Sequence, residues 1–109
     1  GGGDTGQAQG GFGTIVPPDG AVLDPAKPVE FSWTEIRHAA AFRLSIEDPT
    51  GKVVHSAIVT PGVGLYRAPS WLRDKVGETT LRWSVAALDH DGEVIERTAW
   101  RGVRFAAAP

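Results

Sequence analysis

The sequence contains no cysteine and no methionine. The absence of cysteine excludes disulfide bonds, thiolate catalysis and cysteine-based zinc sites. It leaves the compartment open, because export permits disulfides without requiring them. Methionine is absent even at position 1, so we expect a processed or excised fragment from which any signal or anchor has been removed. Without a covalent cross-link, side-chain packing must supply the stability of the fold.

A basic excess and long apolar runs are also lacking. The formal net charge of the 109 residues is −2, so no polybasic surface is predicted for nucleic acid or an anionic membrane. No apolar run approaches the ~18 residues that a membrane-spanning helix needs. This fragment is therefore not expected to span a membrane, although an anchored precursor is compatible with it. The length suits one domain.

Glycine is concentrated at the start of the chain. The first thirteen residues, "GGGDTGQAQGGFG", hold seven glycines and one large apolar side chain, Phe12. So little apolar area cannot offset the entropy of ordering, and residues 1–13 are predicted to be a flexible Gly-rich linker or a tag remnant. Two origins stay open: a cloning remnant joined to a natural linker, or the tether of a bacterial lipoprotein or membrane-anchored protein. Residues 14–107 are predicted to form the folded domain.

The predicted domain shows the two-residue periodicity of half-buried strands. In "VEFSWTEI", "AFRLSIE" and "LRWSVAA", the larger apolar side chains alternate with polar or small ones. Turn sequences at Asp48–Gly51 and Asp89–Gly92 follow two of these segments,. The turn signals recur at roughly 8–12-residue spacing, which predicts about seven short strands in an all-β sandwich or barrel. Ser70 is predicted to cap one short helical turn near residues 70–76, ended by Gly77.

The order of these motifs resembles the fibronectin type III family, within the wider immunoglobulin-like group. "PPDGAVL" stands where that family has a proline-rich first strand, and Trp33 stands where its second strand has a tryptophan. Phe42 and Trp83 take places that the family usually gives to tyrosine. The resemblance covers residues 15–105 and implies a seven-stranded antiparallel Greek-key β-sandwich with Trp33, Phe42 and Trp83 in its core. Because an indole offers only an N–H donor, the family's tyrosine-corner hydrogen bond is not carried over to Trp83.

Motifs for catalysis and metal binding are missing. The three histidines, His38, His55 and His90, lack the spacing of a metal site,. The acids at the turns, such as Asp89 and Asp91, fit turn formation better than calcium binding, because the later ligands of a calcium loop are absent. No GxSxG or phosphate-loop sequence occurs,. We therefore predict no catalytic, cofactor or metal-binding residues and no cofactor, with a small hydrolase of unrecognised site as a minor alternative.

Aromatic residues outside the alternating sets are the functional candidates. Tyr66, Trp71 and Trp100, with Arg101 beside Trp100, are the candidates for stacking on a ligand or contacting a partner,. We favour the alternative, in which Trp71 plugs one end of the sandwich and Trp100 packs under the last strand.

The sequence "LRWSVAALDHDG" is also similar to fibronectin-like domains of bacterial envelope proteins. This similarity implies a non-catalytic, extracytoplasmic spacer or protein-interaction domain of a lipoprotein or membrane-anchored regulator, with a protein partner that the sequence does not identify. The alternative function is a carbohydrate-binding β-sandwich that uses exposed aromatic residues.

Overall fold

The computed structural model describes residues 12–107. Within this range it contains nine β-strands and one short helix, in the order β1 (Gly13–Val16), β2 (Ala21–Leu23), β3 (Glu30–Thr34), β4 (Ala41–Glu47), β5 (Val53–Val59), β6 (Leu65–Arg67), α1 (Trp71–Val76), β7 (Leu81–Leu88), β8 (Val94–Arg97) and β9 (Arg101–Phe105). The all-β prediction is confirmed, whereas the predicted count of seven strands is wrong. The first and last predicted strands are each divided in two, at residues 17–20 and 98–100. Pro17 and Pro18 at the first division have no N–H to donate to a strand partner.

The strands form two sheets. β1, β3 and β6 form one sheet, and β2, β9, β7, β4 and β5 form the other in this order, with β8 also paired to β7. β2 and β9 run parallel, with Ala21 opposite Val103 and Leu23 opposite Phe105; the other pairs among the described residues are antiparallel. The prediction of an entirely antiparallel sandwich is therefore wrong at this edge. No helical crossover is needed, because most of the domain lies between the two parallel strands in sequence.

The core lies between the two sheets. Phe31 and Trp33 project from β3, Phe42 from β4 and Trp83 from β7, and all four are almost completely buried. The ring centroids of Phe31 and Trp83 lie 4.8 Å apart in an edge-on arrangement, and those of Trp33 and Phe42 lie 6.4 Å apart. Tilted aromatic pairs of this kind stabilise beyond the area they bury. Aromatic contacts between the sheets thus supply the stabilisation that a disulfide gives in many immunoglobulin-like domains.

The two buried indoles make no conventional hydrogen bond. Nε1 of Trp33 and Nε1 of Trp83 are both buried without an acceptor among the residues described. Trp83 therefore forms no hydrogen bond of the kind that a tyrosine makes at a tyrosine corner,.

The hairpins β4–β5 and β7–β8 use the same turn, Asp-x-x-Gly. Oδ1 of Asp48 accepts the backbone N–H groups two and four residues later, at 2.9 and 3.1 Å. Oδ1 of Asp89 accepts the corresponding two N–H groups, each at 2.9 Å. The Thr50 hydroxyl also donates to Asp48 at 2.6 Å and holds the pKa of this carboxyl below its usual value. Gly51 and Gly92 have φ of +88° and +81°, a region that favours glycine,.

Helix α1 lies between the edge strand β6 and strand β7 in the chain. Leu72 anchors the helix in the core. Gly77 ends it, with φ of 60° and its N–H donating to the Arg73 carbonyl at 2.8 Å. The predicted cap is wrong in one respect, because the Ser70 side chain makes no capping hydrogen bond.

The prediction of a flexible linker falls mainly on residues 1–11, which lie outside the described residues, so the domain boundary at residue 14 stays a prediction. Phe12 and Gly13, also inside that predicted linker, are described: Gly13 begins β1, and the Phe12 ring lies 5.7 Å from the Phe42 ring between centroids. In the part of the chain that is described, no helix has the length and apolar character needed to cross a membrane.

Candidate binding surfaces

Two edge strands from different sheets meet along one side of the sandwich. His55 of β5 lies opposite buried Ile46, and Tyr66 of β6 lies opposite buried Phe31. The register therefore directs His55 and Tyr66 toward the space between the sheets, where each is half-buried,. His55 Nε2 and the Tyr66 hydroxyl are 2.7 Å apart, and their rings stack at 5.7 Å between centroids. This contact joins one sheet to the other by a single side-chain hydrogen bond.

Helix α1 adds an indole and a cation to this contact. The Trp71 ring meets His55 at 5.3 Å between centroids with an interplanar angle of 89°. Lys75, one helical turn later, places Nζ 5.5 Å from the centroid of the Trp71 ring and donates to the Val54 carbonyl at 3.2 Å,. Trp71 keeps 46% of its surface exposed. We call His55, Tyr66, Trp71 and Lys75 the seam patch.

Burial sets the protonation of the seam patch. Desolvation lowers the pKa of His55, and the positive charge of Lys75 lowers it further,. Burial also raises the pKa of the Tyr66 phenol. At neutral pH the patch thus presents an uncharged imidazole, a phenol and an indole beside one ammonium group. These groups can stack and exchange hydrogen bonds, and they do not supply an ionised nucleophile.

Trp100 belongs to a different surface. Its ring lies 4.4 Å from the Arg82 guanidinium and 5.7 Å from that of Arg97. Arg82 also pairs with Glu47 at 2.6 Å, and Nη1 of Arg97 donates to the Ser84 hydroxyl at 3.2 Å. The indole is half-buried beneath these side chains. The Trp100 ring therefore packs against side chains of β7 and β8, and its place under the last strand stays a prediction.

The four predicted surface residues are therefore divided between two places. Tyr66 and Trp71 come together in the seam patch, whereas Trp100 contacts Arg82 and Arg97 instead. Arg101 is half-buried in β9, opposite Trp83 in the strand register.

Two members of the seam patch were not among the predicted site residues. His55 stands among mostly apolar residues of a predicted strand. This location was the sequence signal that could have identified it as a site residue. Lys75 follows Trp71 by four residues, which is the spacing of side-chain neighbours on a helix. Residues 12–107 bring together no group of three or more His, Cys, Asp or Glu side chains that could hold a metal ion.

Comparison with known proteins shows similarity at the level of the fold. No model of a known protein family matches the chain, and no curated protein matches it. Among solved structures, the fibronectin(III)-like modules of CbhA from Clostridium thermocellum are similar with a TM-score of 0.62 and 12% identity, covering 91% of this chain and 99% of that chain. CopC from Methylosinus trichosporium OB3b has a TM-score of 0.59 and 16% identity, covering 91% and 97%.

A fibronectin-like protein from Clostridium thermocellum is also similar, with a TM-score of 0.50 and 14% identity over 91% of this chain and 92% of that chain. These similarities confirm a fibronectin type III-like β-sandwich. Because the identities are low, they show the fold and leave the function to be argued from this chain's own residues.

Proposed function

We propose that this chain is a non-catalytic fibronectin type III-like module of a bacterial envelope protein, which acts outside the cytoplasm as a spacer or protein-interaction domain. The envelope protein would be a lipoprotein or a membrane-anchored regulator. The seam patch is the proposed contact surface. The similar solved structures include the fibronectin(III)-like modules of CbhA and an Fn3-like protein, which supports a modular role.

The observation that carries this proposal is the exposed indole of Trp71 on a rigid support. His55 and Lys75 hold the ring, and Leu72, the next residue, is buried in the core. A tryptophan fixed in this way gives a partner a large contact area without the entropic cost of ordering the side chain. Tryptophan and tyrosine are enriched among the residues that dominate binding energy in protein interfaces.

Site-specific photo-crosslinking tests the proposal. A benzophenone amino acid placed at position 71 of the full-length protein, in the bacterium that makes it, is expected to form an adduct with an envelope protein. The matched control places the same group at position 22, because Val22 is also about half exposed but lies on β2, away from the seam patch. Equal adducts at both positions, no adduct at position 71, or adducts with cytoplasmic proteins would contradict the proposal.

Carbohydrate binding is the second candidate, and the exposed ring of Trp71 is the observation that favours it. A sugar would stack on the indole, with the Lys75 ammonium and the Tyr66 hydroxyl as hydrogen-bond donors. Titration of intrinsic fluorescence with oligosaccharides separates the two functions. Saturable binding that Trp71→Ala abolishes and Trp100→Ala preserves would support the carbohydrate site. No response at millimolar sugar would exclude it and leave the protein-interaction role.

A further inference from the structure

A second surface of helix α1 borders a cleft that the seam patch does not use. The cleft has a volume of about 380 Å³ and is lined by the loop that precedes β3, the segment between β6 and α1, and Phe105 of β9. Its accessible apolar surface comes from Pro25, Pro28 and Pro69, and the nearly closed residues Ala68, Leu72 and Phe105 lie at its base. A volume of this size lies within the range of small-molecule sites.

Prolines and a backbone hydrogen bond restrict the walls of the cleft. Pro25, Pro28 and Pro69 line it, and each proline ring fixes its own φ,. The Ala68 N–H donates to the Val29 carbonyl at 2.9 Å, which ties the two lining segments together. A site shaped in this way before binding loses little entropy when a ligand enters.

The charges that line the cleft are all positive. Lys27, Arg67 and Arg73 line it, and no carboxylate is among the lining residues. Glu30 holds the Arg67 guanidinium at 2.8 Å, and Asp74 contacts Nε of Arg73 at 3.4 Å. Arg67 and Arg73 are thus partly neutralised. Asp24 lies in the same turn as Lys27, with Oδ1 accepting the Ala26 N–H at 2.9 Å. Lys27 is the lining cation that has no carboxylate within ion-pair distance among the described residues.

We propose that this cleft binds a small amphipathic anion, with an apolar or aromatic body and one carboxylate or sulfonate group. The body would lie against the rings of Pro25, Pro28 and Pro69, and the anionic group would be bound by Lys27 and Arg73,. This site is independent of the seam patch. Successive residues of α1 serve different surfaces: Trp71 lies in the seam patch, Leu72 in the core and Arg73 at the cleft.

The test compares two fluorescent probes with related ring systems and different charge. The anionic probe is 8-anilinonaphthalene-1-sulfonate, and the neutral probe is N-phenyl-1-naphthylamine. We expect the folded domain to bind the anionic probe saturably at one site and the neutral probe clearly more weakly. The double variant Lys27→Gln/Arg73→Gln should weaken binding of the anionic probe by about tenfold or more, because it removes charge-assisted hydrogen bonds.

Two further variants make the test specific. Ala26→Trp, at an exposed lining residue, should fill the cleft and abolish probe binding without disturbing the core. The matched control Arg37→Gln/Lys52→Gln removes two exposed cations that do not line the cleft and should leave binding unchanged. Circular dichroism confirms that each variant is folded. Equal binding of both probes, binding unaffected by Ala26→Trp, or no saturable binding would overturn the proposal.

Discussion

Trp83 has two properties that oppose each other energetically. Its ring is completely buried and lies against Phe31 of the opposite sheet, which stabilises the fold,. Its Nε1–H, however, is buried without an acceptor among the described residues, which costs stability,. Trp33 has the same combination of buried ring and unpaired N–H. The indoles are therefore favoured at these positions by their volume and shape rather than by hydrogen bonding.

Substitution of Trp83 separates the two effects. Trp83→Ala should reduce the free energy of unfolding by about 3–5 kcal/mol, because it leaves a large cavity. Trp83→Phe should cost clearly less, because it keeps an aromatic ring and removes the unpaired N–H. Urea denaturation measures both, with Trp71→Ala as the exposed control, for which only a small loss is expected. A cost for Trp83→Phe equal to that for Trp83→Ala would contradict the conclusion that ring volume and shape favour the indole at this position.

At the scale of single elements, the turns of the two Asp-x-x-Gly hairpins depend on backbone conformation more than on contacts. A Cβ built on Gly51 meets no atom within 4 Å, so a side chain there has space. A residue with a side chain at position 51 would have to adopt the same positive φ, which costs free energy as backbone strain,. The aspartate that begins each turn binds the backbone on both sides of the glycine and holds this conformation in place.

Gly51→Ala should therefore lower the free energy of unfolding by about 1–2 kcal/mol through backbone strain alone. Gly13→Ala is the matched control, because Gly13 also has open space around it but no positive φ. Urea denaturation of the two variants measures the difference. If both variants lose the same stability, the cost at Gly51 is not due to its backbone conformation.

The elements with regular alternation could be predicted from the sequence, and those fixed by distant partners could not. The patterns around Trp33, Phe42 and Trp83 predict β3, β4 and β7 as strands. The prediction that β7 is half-buried is wrong, because Ser84 and Ala86 on its other face are also buried. β6 has only three residues between Gly64 and Ala68, too few to show a period. The parallel pairing of β2 with β9 depends on contacts between residues about eighty positions apart, which no local pattern contains.

The candidate site also contains some residues that could be predicted from the sequence and others that could not. Tyr66 and Trp71 were recognisable as aromatic residues outside the alternating sets. The role of His55 was not, because its position between Tyr66 and Trp71 depends on how the edges of two sheets come together. The cationic cleft also requires the fold, since Lys27 and Arg73 come from separate segments of the chain.

At the scale of the whole molecule, we expect protonation of the seam patch to make the stability of the domain depend on pH. Burial lowers the pKa of folded-state His55, and Lys75 acts in the same direction,. The unfolded chain, in which the histidine pKa is about 6.5, therefore binds a proton more readily than the folded domain. The contribution of His55 to stability is present above about pH 6.5 and is lost as the pH falls from there toward the lower folded-state pKa.

His55→Gln should reduce this pH dependence. The urea midpoint of the parent protein should be lower at about pH 5.5 than at about pH 7.5. The same difference should be smaller in the variant. His90→Gln, in the exposed β7–β8 turn, is the control and should keep the parent behaviour. Identical pH dependence in the parent and in His55→Gln would show that protonation of the seam patch does not affect folding.

The parallel pairing of β2 with β9 has a mechanical consequence. Because the two strands run in the same direction, the chain arrives at β2 and departs from β9 at opposite ends of the pair. Tension between flanking segments would therefore load the pair in shear, including the hydrogen bonds from Gly20 N–H to the Gly102 carbonyl and from Ala106 N–H to the Leu23 carbonyl, both 2.8 Å. These bonds would have to break together rather than one after another. We therefore expect this parallel pairing to make the module resist stretching along its length.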